Sequence, residues 1–219
     1  TTYYGETSGV GRALDHLVRP EGRRIGLVGL GTGSLATYGQ EGDTLRIYEI
    51  NPAVEQVARS HFTYLDISEA EIDVVMGDAR LSMEEELKDG DIQRFDLLAL
   101  DAFSSDAIPV HLLTTEAFQT YLEHLGPGGV IAVHISNRYL DLRPVIENVA
   151  AHFGLEIATI MDDDPEDWWV YRTTWILLSG NLDFMDQPEI LNFRSAPSGD
   201  ASRVRLWTDE YASLFEVLK

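Results

Sequence analysis

The 219-residue chain contains no cysteine and few basic residues. The absence of cysteine excludes disulfides, thiolate catalysis and cysteine-ligated metal sites. There are 16 Lys and Arg against 37 Asp and Glu, which gives a formal net charge of −21. Proteins that bind DNA or RNA through phosphates need clustered basic residues, so we expect no nucleic acid partner. An acidic chain can attract a small cationic substrate, although a solvated acidic surface that keeps the protein soluble is the simpler interpretation.

The chain also has no long apolar run and no initiator methionine. No run reaches the length of a membrane span and no signal-peptide pattern stands at the start, so we expect no membrane contact from this chain itself. Because the chain begins at Thr1, we expect a piece of a longer protein. With 44% hydrophobic residues, its length suits one domain with a real core. We expect that domain to cover 1–219, with a core at about 20–180 and a tail at 181–219.

Strand-like and helix-like segments alternate, which favours an α/β fold with a mostly parallel sheet. The predicted strands are 24–29, 44–50, 72–77, 95–101, 129–136, 155–161 and 173–179. The predicted helices are 34–41, 52–64, 80–88, 114–125 and 141–153. Asn51-Pro52 fits a helix start, and Gly126-Pro127-Gly128-Gly129 predicts a stop and a turn.

The most informative stretch is 25–33, Ile-Gly-Leu-Val-Gly-Leu-Gly-Thr-Gly, where an apolar run ends in glycines. Gly29, Gly31 and Gly33 allow positive φ angles and the close approach of a ligand to the main chain. Glu49 ends the next apolar run, near the offset of roughly 20 residues at which an acid meets the ribose hydroxyls of a bound nucleoside. The sequence is not a P-loop, because no Gly-Lys-Ser/Thr follows. An alanine replaces the last glycine of G-x-G-x-x-G, which favours a ligand like S-adenosylmethionine over NAD.

Acidic residues at the ends of strands are the strongest candidates for ligand contacts, because ligands of an open parallel sheet bind beyond the carboxyl ends of its strands. Besides Glu49, these acids are Asp78 and Asp101. Asp78 with Ala79 can reach an adenine amino group, or Asp78 can cap the following turn. Asp101 and Asp106 lie on one short loop, where two carboxylates suit chemistry on a cation; the alternative for Asp106 is a turn cap.

An alkylamine has a pKa of about 10.4 and must lose a proton before it attacks carbon. A carboxylate first binds the ammonium and then stabilises the charge that develops on nitrogen, so we expect Asp101 and Asp106 to be catalytic. Acids beside Trp169 can hold an amine by charge and cation–π contact, or form a solvated acidic loop. The histidines lack metal-ligand spacing, so we expect no metal, and we interpret His134 as a core or pocket-wall residue.

Together these segments resemble the spermidine synthase (polyamine aminopropyltransferase) family, from about Tyr4 to Gly180. The resemblance is carried by Val28-Gly29-Leu30-Gly31-Thr32-Gly33, Glu49, Gly77-Asp78-Ala79, Asp101 with Ser104, Ser105 and Asp106, and Leu125-Gly126-Pro127-Gly128-Gly129-Val130. It implies a Rossmann-like, seven-stranded fold shared with class I S-adenosylmethionine-dependent methyltransferases. It also implies that Glu49 binds ribose, Asp78 with Ala79 binds adenine, and Asp101 activates an amine.

The implied reaction transfers an aminopropyl group from decarboxylated S-adenosylmethionine to a polyamine acceptor and releases methylthioadenosine. Tyr4, Ser104 and Trp169 are the candidate substrate-binding residues, and a homodimer is the implied assembly. The loop 101–109 and the ending 207–211 resemble bacterial spermidine synthase-like domains that are often fused behind membrane-spanning segments. That resemblance implies a cytoplasmic location. If missing N-terminal segments tether the domain, it implies the cytoplasmic face of the inner membrane.

Two departures from the family keep other functions open. Thr32 stands where active members usually carry an Asp that holds the aminopropyl end of the donor. The small N-terminal β domain that contributes acceptor-binding residues is not in this chain. The alternatives are therefore a methyltransferase that uses intact S-adenosylmethionine and a non-catalytic nucleoside-binding domain.

Overall fold

A mixed sheet of seven strands lies at the centre of the computed structural model, which describes residues 3–103, 109–162, 171–194, 198 and 200–219. The strands are β1 (Arg24–Val28), β2 (Thr44–Glu49), β3 (Glu71–Met76), β4 (Phe95–Leu100), β5 (Leu125–His134), β6 (Glu156–Asp162) and β7 (Thr173–Ser179). Their order across the sheet is β3-β2-β1-β4-β5-β7-β6. Strands β1 to β5 pair in parallel, whereas β7 is antiparallel to both β5 and β6. The predicted α/β fold is therefore confirmed over the described part of the chain.

The order reverses at β1, so that β2 and β3 lie on one side of it and β4 and β5 on the other. Such a reversal opens a crevice at the carboxyl ends of the central strands, where ligands of doubly wound sheets bind. Gly29, Gly31 and Gly33 follow β1 and therefore stand at this crevice.

Helices cover both faces of the sheet. Those in the described ranges are α1 (Gly9–His16), α2 (Pro52–His61), α3 (Tyr64–Ile67), α4 (Ala79–Asp89), α5 (Thr115–Glu123), α6 (Arg143–Phe153), α7 (Leu182–Met185) and α8 (Pro188–Leu191). The predicted start at Asn51 is confirmed, because its Oδ1 accepts from the amide of Ala53 at 3.0 Å. The predicted helix 52–64 ends early, at His61, and α3 follows it as a separate turn.

The prediction of a helix over 34–41 is wrong in type and length. A 3-10 helix spans Ser34–Tyr38 instead. Gly33 precedes it in the left-handed conformation, with φ 83°, and Gly39 follows it in an extended one. Since the two glycines leave only a short segment between them, an α-helix has no room to propagate there.

The prediction of a turn at Gly126–Gly129 is also wrong, because these residues form the first part of β5. Phe95 pairs with Leu125, and the register between β4 and β5 shifts before Leu97 pairs with Val130. Between these two pairs β4 has one residue and β5 has four, so the glycines and the proline form an irregular, bulged entry into the strand after α5 has ended at Glu123.

Two apolar layers sandwich the sheet. One includes Met83, Phe118 and Val145 from the helices that follow β3, β4 and β5, together with Trp207 from the tail. The other includes Leu14, Leu35, Ala58 and Ile190. Trp207 is only 1% exposed, and burying a side chain of this size stabilises the fold by roughly 3 kcal/mol. The tail therefore contributes Trp207 to the core.

Candidate functional site

The glycine-rich loop leaves β1 and passes directly against the end of β4. Gly29 has a φ of 101°, and a Cβ at this position would lie 2.6 Å from the carbonyl oxygen of Asp101. Only glycine fits there, because both the backbone angle and the contact reject a side chain. Gly31 has a φ of 54°, but a Cβ there would meet no described atom within 4 Å. The loop is therefore packed at Gly29 and open at Gly31, as a main chain must be where a ligand approaches it.

Glu49 ends β2 and lies against this loop. Glu49 as a residue is 8% exposed, and its Oε2 accepts from the amide of Leu30 at 3.0 Å. Oε1 accepts from the amide of Asn51 at 2.8 Å. Two backbone donors thus fix the carboxylate beside the glycines, and each oxygen keeps a further lone pair for a hydroxyl donor.

Asp78 follows β3 and caps α4, since its Oδ1 accepts from the amide of Leu81 at 3.0 Å. Its Oδ2 lies 2.8 Å from Nε2 of His111. Partial burial opposes the charged form, but the hydrogen bonds from Leu81 and His111 outweigh it and hold the pKa of Asp78 below its ordinary value. Ala79 is the first residue of α4, and its side chain is buried. The turn-capping alternative for Asp78 is thus realised in the structure, while its predicted contact with adenine stays a prediction.

Asp101 follows β4 and is held by two side chains from distant parts of the chain. The hydroxyl of Tyr4 donates to Oδ2 at 2.6 Å. Nδ1 of His134 lies 2.6 Å from Oδ1. The Asp101 side chain is only 9% exposed, and each of its two carboxylate oxygens has a hydrogen-bond partner.

The sequence made Tyr4 a candidate substrate-binding residue, and the structure places it in direct contact with Asp101, the candidate catalytic acid. Burial, and then the charge of Asp101, raise the pKa of the Tyr4 phenol above its ordinary value. The phenol therefore stays protonated and remains a donor to Asp101. The hydroxyl of Tyr38 donates to the carbonyl of Tyr4 at 2.7 Å, which anchors this segment.

Sequence reasoning missed the contact between His134 and Asp101. The interpretation of His134 as a buried residue is confirmed, because it is 5% exposed. A signal was available once β4 and β5 were taken as parallel neighbours. Leu100 pairs with Val133, so the next residue of each strand, Asp101 and His134, must stand side by side.

Three candidate residues, Asp106, Ser104 and Trp169, lie outside the described residues. Their predicted roles in catalysis and substrate binding stay predictions. The described part of the acidic loop ends at Asp162, whose Oδ2 accepts from the hydroxyl of Thr7 at 2.9 Å.

A cleft of about 720 Å³ lies beside Asp78. Asp78, Leu81 and His111 line one part of it, and the tail segment 208–212 lines another. Arg80 holds the tail there, because its guanidinium forms a forked pair with Asp209. The described part of the tail thus contributes Trp207 to the core and also forms a wall of this cleft.

The described ranges lack both a metal-binding cluster and a membrane-spanning helix. They contain no group of three or more His, Asp and Glu that could hold a metal ion. No helix among them has the length and apolar character needed to cross a bilayer.

No protein-family model matches the chain. A polyamine aminopropyltransferase from Vibrio vulnificus is 31% identical to it over 121 residues, which cover 54% of this chain and 39% of that protein. The chain thus matches about two fifths of the length of this relative. The resemblance to the polyamine aminopropyltransferases is confirmed over this region.

Solved structures extend the likeness to nearly the whole chain. A spermidine synthase in complex with the transition-state analogue AdoDATO has a TM-score of 0.56 and 12% identity, covering 95% of this chain and 68% of that one. Human methyltransferase-like protein 13 in complex with SAH has a TM-score of 0.60 and 20% identity, covering 91% and 94%. The fold is the one that spermidine synthases and class I methyltransferases share. At these identities the likeness concerns the fold alone.

Proposed function

We propose that this chain is a transferase that moves an aminopropyl group from decarboxylated S-adenosylmethionine to an amine acceptor. The observation that carries the proposal is the pair of acidic residues that flank the glycine loop. The Glu49 carboxylate accepts from the loop amide of Leu30, and the main-chain carbonyl of Asp101 packs against Gly29. This pair stands on a fold shared with spermidine synthases, in a chain similar to a polyamine aminopropyltransferase.

Each carboxylate has a distinct role in this proposal. Glu49 accepts hydrogen bonds from the ribose hydroxyls of the donor, and Gly31 leaves room for the nucleoside to approach the main chain. Asp101 receives the acceptor as an ammonium ion, orients it, and stabilises the positive charge on its nitrogen. The formal charge of −21 favours the arrival of a cationic acceptor.

The reaction is an in-line displacement. The amine, once it has lost a proton to Asp101 or to solvent, forms a bond from nitrogen to the carbon next to sulfur. The bond between that carbon and sulfur breaks, and its electron pair goes to sulfur, which becomes the neutral thioether of methylthioadenosine. Because the sulfonium is already a good leaving group, the protein mainly positions the reactants and handles the proton.

Thr32 favours a second candidate, a methyltransferase that uses intact S-adenosylmethionine. Thr32 is exposed in the glycine loop and carries no charge. A carboxylate at this position would repel the carboxylate of intact S-adenosylmethionine, whereas a threonine does not. A non-catalytic nucleoside-binding domain is the third candidate.

A titration separates these candidates. Calorimetry with S-adenosylmethionine, its decarboxylated form and methylthioadenosine gives three affinities for the same chain. We expect the decarboxylated donor to bind more tightly than the carboxylated one, and we expect methylthioadenosine to form with putrescine or spermidine as acceptor. A clear preference for the carboxylated donor would replace this proposal with the methyltransferase. Tight nucleoside binding without turnover over a panel of diamines would favour the non-catalytic domain.

A further inference from the structure

We infer that His134 is a positioning residue, whose Nδ1–H holds the carboxylate of Asp101 in the orientation that receives the amine. This inference rests on the proposed function, since it assigns a role to His134 in the same reaction. It starts from a chain of hydrogen bonds that runs from β7 through Ser136 and His134 to Asp101.

The hydrogen bonds to Asp101 and Ser136 together determine which ring nitrogen of His134 carries the proton. The amide of Thr174 donates to Oγ of Ser136 at 2.8 Å. Oγ lies 2.8 Å from Nε2 of His134. Because an ionised carboxylate can only accept, Nδ1 is the donor in its 2.6 Å contact with Oδ1 of Asp101. In a neutral ring Nε2 then carries no proton, and it accepts the hydroxyl hydrogen of Ser136.

Aromatic packing fixes the plane of the ring. Trp175 is fully buried and stacks on His134, with centroids 4.5 Å apart and an interplanar angle of 5°. Phe103 meets the ring edge-on at 4.9 Å and 72°. The ring therefore has a partner for each nitrogen and an aromatic neighbour at its face and its edge, so it holds Asp101 in one orientation.

The order Ser136–His134–Asp101 is also that of a nucleophile, a base and an acid in hydrolases. Two observations favour positioning over that chemistry. Oγ of Ser136 is already engaged by the backbone amide of Thr174. Ser136 and His134 are also two residues apart on one extended segment, and Nε2 points at this serine. The serine thus orients the ring, and the ring orients the carboxylate.

Two substitutions separate the hydrogen bond from the packing. His134→Asn keeps an N–H donor close to the position of Nδ1 but loses the ring that stacks on Trp175. His134→Phe keeps an aromatic ring and loses both ring nitrogens. The assay uses the full chain with decarboxylated S-adenosylmethionine and putrescine. We expect His134→Phe to lower kcat by about 100-fold, with the KM for the donor unchanged, and His134→Asn to retain kcat to within about 5-fold. If His134→Phe instead retained kcat and His134→Asn lost it, His134 would have a packing role only and the inference would be overturned.

A spectroscopic measurement, which needs no enzymatic turnover, tests the same hydrogen bond between His134 and Asp101. In nitrogen-15 spectra of histidine-labelled protein, we expect the His134 ring to carry a proton on Nδ1, and we expect Asp101→Asn to change that signal. A bare Nδ1 in the wild-type protein would overturn the inference, and this result stands even if His134→Phe fails to fold. Absence of turnover in a wild-type protein that has the Nδ1 proton would overturn the proposed function instead, and the hydrogen bond to Asp101 would stand.

Discussion

Glu49 ends β2 and Asp101 follows β4, the two strands that flank β1, but the protein holds the two carboxylates by different means. Backbone amides bind both oxygens of Glu49. Side chains of Tyr4 and His134 bind the two oxygens of Asp101. The first carboxylate is fixed by the loop that it helps to shape, and the second is fixed by groups that come from elsewhere in the fold.

This difference matches the two tasks in the proposed reaction. A binding carboxylate needs a permanent position relative to the glycine loop, and backbone donors provide one because they follow directly from the fold. A carboxylate that meets a charged and reacting nitrogen needs a shielded site and directed donors, since electrostatic interactions strengthen where water is excluded. The following substitutions test this division between binding and chemistry.

The largest effect is expected from Asp101→Asn, which removes the charge that meets the ammonium. We expect kcat to fall by about 1000-fold or more, whereas the Kd of methylthioadenosine changes by less than about twofold. Steady-state assays and calorimetry measure the two quantities. Asp73→Asn, at an exposed carboxylate on β3, is the matched control. An equal loss of binding and turnover would contradict the division.

Glu49→Gln is expected to act on binding instead. The substitution removes a charged acceptor of two backbone amides and of the ribose hydroxyls, so we expect the Kd of methylthioadenosine to rise about 10- to 100-fold. We expect kcat at saturating donor to stay near that of the wild type. Glu55→Gln on the exposed face of α2 is the control. A loss of kcat without loss of affinity would assign Glu49 to the chemical step.

Tyr4→Phe removes one of the two side-chain donors to Asp101 and is expected to lower kcat by about 10-fold. Tyr3→Phe is the matched control, because Tyr3 is its neighbour in sequence and stacks on Tyr171 instead. Equal rates for Tyr4→Phe and the wild type would remove Tyr4 from the description of the site.

Tyr4→Phe is also expected to change how the stability of the protein depends on pH above pH 10. The pKa of Tyr4 is raised above the ordinary value of 10.0 by burial and by Asp101. The folded state therefore retains a proton that the unfolded chain loses, so the contribution of Tyr4 to stability is complete below pH 10 and declines as the pH rises further. We expect melting curves of Tyr4→Phe to depend less on pH above 10 than those of the wild type. Parallel curves would contradict the raised pKa.

The smallest effect is expected at Asp78. Its partners are the end of a helix and an exposed histidine, whereas Asp101 is held by the side chains of Tyr4 and His134. Loss of the cap in Asp78→Ala should cost about 1 kcal/mol of stability, measured by denaturant unfolding. Asp78→Asn keeps a capping oxygen and serves as the control.

The dependence of stability on pH in the acid range separates the charge of Asp78 from its capping role. The folded pKa of Asp78 lies below the ordinary value of 3.8. Its contribution to stability is therefore present above pH 3.8 and is lost as the pH falls through the folded value. We expect Asp78→Asn to weaken this acid dependence while retaining the cap. If the stability of Asp78→Asn fell with decreasing pH in the same way as that of the wild type, the charge of Asp78 would not contribute to stability.

The local features of the site follow from neighbouring residues in the sequence. Alternate glycines after an apolar run and an acid at the end of the next run place Glu49 beside the loop, because the two strands are consecutive and pair in parallel. The strands themselves were predictable, since each is a short apolar run bounded by turn residues. The helix over 34–41 was predicted wrongly, because Gly33 and Gly39 limit a segment that its composition alone favours as helix.

The contacts of Asp101 were not predictable in the same way. Tyr4 lies 97 residues away in sequence and His134 lies 33 away. Which side chains meet there depends on the neighbours of β4 in the sheet and on the path of the N-terminal segment. The clamp between Arg80 and Asp209 has the same origin, because it joins residues that are 129 apart.

The sequence by itself determined the α/β class, the glycine loop and the acids that end the strands, because these depend on hydrophobic periodicity and on backbone angles that only certain residues adopt. The tertiary structure decided which donors each acid receives and which surfaces the tail covers. Those choices arise from strand order and side-chain packing, where residues far apart in the chain become neighbours, and no local pattern records them.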